Sequence, residues 1–155
     1  MVYYTLVSVI WYGAEYDEVK PIAEKYLRKF RSEAEDIKRK EGYIPSEYYG
    51  VIDFLESIVS GKAYFDDLVW SYSRVFNHFN YHEFIDLVKQ FFKELYEKEV
   101  LFPGYEFDRI LILIENEQTN NVEVFSIYYD EELNDIVVER YESEGKWFLG
   151  VWWGD

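Results

Sequence analysis

Apolar residues recur along this chain with two periods, and the change from one to the other marks its organisation. The first stretch, Val2–Tyr12, reads VYYTLVSVIWY. β-branched and aromatic residues dominate it and both alternating faces are largely apolar, which suits a central strand. Gly13 breaks it. Val19, Ile22, Ala23, Tyr26, Leu27, Phe30, Ala34 and Ile37 then stand at steps of three and four, the stripe of an amphipathic helix over roughly Glu18–Lys40. Pro21 fits its first turn, where a missing N–H costs little, and Gly42 with Pro45 marks its end.

Three further helices are expected. Ser46–Ser60 carries the stripe Tyr48, Val51, Ile52, Leu55, Ile58 and Val59, with Ser46 as cap and Gly61 as stop. Tyr64–Phe76 carries Phe65, Leu68, Val69, Tyr72 and Phe76. After the turn Asn77–Asn80, a helix opens with Glu83 three residues beyond Asn80, the spacing of a capping box. Its stripe is Phe84, Leu87, Val88, Phe91 and Leu95, and it stops before Pro103–Gly104.

The last third switches to strands. Ile110–Ile114 is a continuous apolar run, expected to be buried on both faces. Val122–Tyr129, Asp135–Tyr141 and Lys146–Trp153 alternate, separated by the turns Asn116–Asn121, Asp130–Asn134 and Ser143–Gly145. The expectation is a single α+β domain over residues 1–155. It has an N-terminal strand, four helices, then a C-terminal four-stranded antiparallel meander, with the helices packed on one face of the sheet.

Composition adds limits. Aromatics make up 21% of the chain, more than one core can hide, so some Tyr and Trp rings should reach the surface and favour a partner. No cysteine is present, which excludes disulfides, thiolate metal sites and thiol nucleophiles and fits a cytoplasmic, intracellular protein. Met1–Tyr12 lacks the basic region and cleavage site of a signal peptide, and is too short to span a bilayer. One Met, two Gln and abundant Glu, Lys and Tyr form the composition expected of a protein from a hot environment.

Charge changes the picture most. The net charge is −15, which argues against nucleic acid or an anionic membrane as direct partner and favours attraction to basic surfaces. It is unevenly placed. Asp17–Glu41 holds eight bases and seven acids, while Glu99–Asp155 holds fourteen acids against Arg109, Arg140 and Lys146. The acids sit on the meander and its turns: Glu115, Glu117, Glu123, Asp130, Glu131, Glu132, Asp135, Glu139, Glu142 and Glu144. Phe148 and Trp152 occupy one face of the tail strand, covered by a further element or open to a partner, including a second copy.

Catalytic and cofactor motifs are not specific here. His78 and His82 are four apart, but Asn80 caps the helix between them and no third zinc ligand is placed. Glu115 and Glu117 flank Asn116, a spacing that could serve a divalent ion or acid–base work. Glu144-Gly145-Lys146, with Asp130 or Asp135 upstream, has the acid-x-Lys form of metal-dependent nucleases, yet Gly145 makes it a turn. The glycines are isolated, so no phosphate loop exists, and no nucleophile elbow is present. No metal and no cofactor are expected.

The expected function is therefore a non-enzymatic, acidic protein-binding module. Its size and acidity are shared by toxin-immunity proteins and by phage- or virus-encoded inhibitors of host defence nucleases. It would occlude the basic groove of a nuclease or nucleic-acid-binding complex, with carboxylates in place of phosphates. The alternatives are an enzyme or ligand-binding protein with an aromatic pocket between helices and sheet, using Glu115, Glu117 or His82, and a self-assembling structural protein built on the Trp-rich strand.

Overall fold

The computed structural model describes residues 3–104, 109–117, 121–143, 147–148 and 151–152, with backbone alone at 142–143, 147–148 and 151–152. The elements run β1 (Tyr4–Tyr12), α1 (Tyr16–Glu41), α2 (Ser46–Val59), β2 (Val69–Asn77), α3 (Tyr81–Glu97), β3 (Ile110–Asn116), β4 (Asn121–Asp130), β5 (Asp135–Ser143), β6 (Trp147–Phe148) and β7 (Val151–Trp152). The class is α+β. A five-stranded antiparallel sheet in the order β2-β1-β3-β4-β5 carries the three helices on one face.

Local signals set most boundaries. Gly42 closes α1 in the left-handed region (φ 86°), its N–H donating to the Lys38 carbonyl. The Asn80 side chain accepts from the Glu83 N–H, capping α3 as the sequence suggests. Ser46 is the first helical residue of α2 rather than its cap. Its Oγ instead accepts from the Asn80 N–H at 2.9 Å, tying the start of α2 to the start of α3.

Two whole elements depart from expectation. Tyr64–Phe76 does not form a helix: residues 69–77 are β2, paired with β1 over nine residues from Tyr4↔Asn77 to Tyr12↔Val69. The stretch carries both periods. Its strand period wins because Trp70 and Tyr72 point into the core while Ser71 and Ser73 point out, and because β1 would otherwise be an edge. Asp67 and Leu68, both at positive φ, turn the chain into it. Nor do the described residues of the Trp-rich tail extend the five-stranded sheet: among them β6 and β7 pair with each other, Trp147 opposite Trp152. The sheet gains its fifth strand from β2 instead.

The core lies between helices and sheet. Trp11 and Trp70, opposite each other on β1 and β2, stack with centroids 4.7 Å apart, and the Trp70 indole N–H donates to the Ala14 carbonyl. Phe54 of α2 meets the rings of Tyr72, Phe84, Phe91 and Phe92. Ile110–Ile114 is covered on one face only: Ile110, Ile112 and Ile114 are buried, whereas Leu111 faces outward.

Candidate partner-binding surface

The antiparallel register decides where the meander acids go. The β3–β4 turn and the β4–β5 turn lie at opposite ends of the sheet, so Glu115 and Glu117 are separated from Asp130, Glu131 and Glu132 by the length of β4. At about 3.4 Å per residue, that is about 30 Å. The ten carboxylates therefore do not form one surface. Glu144, with the side chains of Glu142, Phe148 and Trp152, lies outside what the structure describes.

Several of these acids are occupied. Glu123 is 6% exposed on the helix side of the sheet, so it is not a surface carboxylate. It accepts from Arg140 Nε at 2.9 Å. Burial pushes its carboxyl up, but hydrogen bonds from Tyr81 and Arg140, with the charges of Arg140 and His82, outweigh this and hold it below the ordinary range. Asp135 pairs with Lys93 at 3.0 Å, and that bond with the Ile136 N–H lowers its carboxyl. Glu139 takes hydrogen bonds from Tyr141, Tyr128 and Arg109, which likewise lower it, while the Arg109 guanidinium lies 4.2 Å from the Tyr128 ring centroid. Asp130 is a turn former: its Oδ1 accepts from the Glu132 and Leu133 N–H groups. Glu117 accepts from the Tyr4 N–H. Of the described members, Glu115, Glu117, Glu131 and Glu132 remain exposed without an ion pair.

The fold adds acids that sequence reading missed. β1 ends, β2 begins, and α3 and β4 end at the same end of the molecule. The Gly13 N–H donates to the Leu68 carbonyl, joining the β1–α1 and 62–68 loops. The Tyr96 ring stacks on Tyr129 at 5.4 Å, joining the end of α3 to the end of β4. This gathers exposed acids from four segments: Glu15, Asp17 and Glu18; Asp66 and Asp67; Glu97 and Glu99; Glu131 and Glu132. They span the width of the sheet, about 20 Å at the usual strand spacing. Lys20, Lys62 and Lys98 lie at the same end. The bases Lys38, Arg39 and Lys40 sit in the last turn of α1, at the far end of the molecule. Asp67, Leu68, Glu99 and Asn134, four of the five described non-glycine residues at positive φ, lie in the loops of this acidic end.

The sequence signal for this end existed but was masked. Counting Asp17–Glu41 as one balanced block hid the fact that its first acids are at the helix start and its last bases at the helix end. That is also the arrangement the helix dipole favours.

The other candidates are resolved by placement. His78 lies outside α3 at positive φ, and His82 packs edge-on against Phe125 at 6.0 Å. Among the described residues, no cluster of three or more His, Asp or Glu could hold a metal ion. A cleft of about 390 Å³ opens beside edge strand β2, lined among others by Asp53, Lys62, Ser71 and Arg74, with Tyr72 the one aromatic residue of its lining. In it Asp53 accepts from the Tyr72 hydroxyl at 2.6 Å and lies 3.6 Å from Arg74; burial first, then that bond, raises Tyr72 well above its ordinary value. No helix among the described residues is long and apolar enough to cross a membrane. No family model matches the chain, and no curated protein or solved structure matches it significantly.

Proposed function

We propose that this chain is an acidic protein-binding module that presents the end of its sheet bearing the β4–β5 turn to a basic, nucleic-acid-binding surface of another protein. The observation that carries the reading is the convergence of exposed carboxylates from four separate segments, with the bases of α1's last turn, Lys38, Arg39 and Lys40, at the opposite end. A row of carboxylates about 20 Å across can follow a groove built for phosphates. Association would be steered by charge and would block the groove, acting as an inhibitor of the immunity-protein or viral anti-defence type. Backbone strain in the same loops favours a functional surface over a merely solubilising one.

The test uses immobilised chain and lysate of its source cells, with E131K/E132K beside the unmodified protein. Asp130 is kept, because changing it would break the turn rather than the charge. The expected result is a basic nucleic-acid-binding protein that elutes as salt rises. The variant should bind it at least tenfold more weakly and with a shallower salt dependence. Equal binding by the variant, or binding insensitive to salt, removes this surface from consideration.

A further inference from the structure

Among the described residues no helix covers the sheet face turned away from α1–α3, which is largely apolar, and we infer that it is where a second copy of this chain docks. On β1 the outward positions are Tyr4, Leu6, Ser8, Ile10 and Tyr12, flanked by Val75 on β2 and Leu111 on β3. Leu6, Ile10 and Leu111 are 38%, 40% and 38% exposed, and Val75 is 56% exposed. An antiparallel sheet with one free face normally alternates apolar inward and polar outward. Here the outward row of the strand between β2 and β3 holds no charge at all, in a chain where 30% of residues are charged. Across β4 and β5 the face continues with Tyr128 and Tyr141, and its Arg109–Glu139 pair is internally neutral.

Two features favour a second copy as the occupant. The first is charge. Each copy carries −15, so two copies meeting elsewhere bring like charges together, whereas on this face the acids without an ion pair, Glu115 on β3, Glu117 just beyond it and Asp130 at the β4–β5 turn, lie toward the strand ends and leave its middle rows neutral. A partner selected for basic charge finds nothing complementary in those middle rows. The second is area. Five strands about 4.8 Å apart and about 8 residues long describe roughly 600 Å² per copy, or about 1,200 Å² for the pair. That reaches the low edge of the standard range for specific interfaces, near 1,200 Å². Two twisted apolar sheets stack face to face at about 10 Å, and a two-fold pairing needs only that one patch be complementary to itself. The surface is separate from the acidic end, so either reading can fail alone.

The experiment is sedimentation and light scattering of the full chain from about 1 to 200 μM, at low and high salt. The expected result is reversible dimerisation that tightens as salt screens the charge of the two copies. I10K should raise the dimer dissociation constant at least tenfold while circular dichroism stays unchanged. V75K, on the exposed edge strand, provides the same readout should I10K fail to fold. E131K/E132K should still dimerise. A monomer at every concentration and salt overturns the inference, and so does a dimer that persists unchanged in a folded I10K or V75K chain.

Discussion

Gly50 stands inside α2, where alanine would ordinarily stabilise a helix by about 0.5–1 kcal/mol. A Cβ there would lie 2.6 Å from the Phe79 ring and 3.1 Å from Phe84. Phe79 cannot swing aside, because it is buried and stacked on Phe76 at 4.3 Å. Gly50→Ala should therefore destabilise the chain by roughly 1–2 kcal/mol, the overpacking term exceeding the propensity gain; chemical denaturation checks the sign. Glu123 makes a second residue-scale case. Its folded carboxyl is held below the ordinary value of 4.5, so it contributes stability fully present above that value and lost as pH falls through the lower folded pKa. Glu123→Gln should cost about 1–2 kcal/mol at neutral pH, a charge-assisted bond discounted because Arg140 is half exposed. The gap between variant and parent should close in denaturation curves taken below the ordinary carboxyl range. Sequence placed Glu123 among strand acids correctly, but which side of β4 faces the helices is a matter of register, and one position decides it.

At the scale of elements, α1, α2 and α3 were legible because each has an apolar stripe longer than three turns and a readable terminus. β2 was not, because Phe65, Leu68, Val69, Tyr72 and Phe76 satisfy a helical period that Trp70, Ser71, Tyr72 and Ser73 contradict. Phe65, a member of the supposed stripe, is 58% exposed. Hydrogen exchange separates the two readings directly. The Ser71 N–H points away from β1, to the Ala63 carbonyl, so the Ser73 and Val75 amides point to the open edge while Tyr72, Arg74 and Phe76 face β1. Alternating protection is expected, slow at 72, 74 and 76 and fast at 73 and 75; uniform protection over 70–76 would restore a helix. The ion pairs of α1 make the same point. Within the helix Lys20 pairs with Glu24 and Arg39 with Asp36, but Lys25 reaches Glu94 of α3 and Arg31 reaches Glu56 of α2, partners that only the packing of the helices brings near.

Across the whole molecule the two proposed surfaces respond oppositely to salt. Binding through the acidic end weakens as charge is screened, and self-association through the neutral sheet face strengthens, so one salt series distinguishes them. What the sequence by itself determined is the α+β class, three of the helices with the Gly42 stop and the Asn80 cap, the strand character of residues 110–143 and the size of the acid excess. Each of these follows from local periodicity, cap chemistry or counting, which involve residues close in the chain or no geometry at all. Tertiary structure alone decided the strand order, the recruitment of β2 beside β1, the burial of Glu123 and the grouping of acids by sheet end rather than by segment. These depend on which strands pair and in which direction, and pairing is settled by contacts between residues many tens of positions apart, such as Trp11 with Trp70.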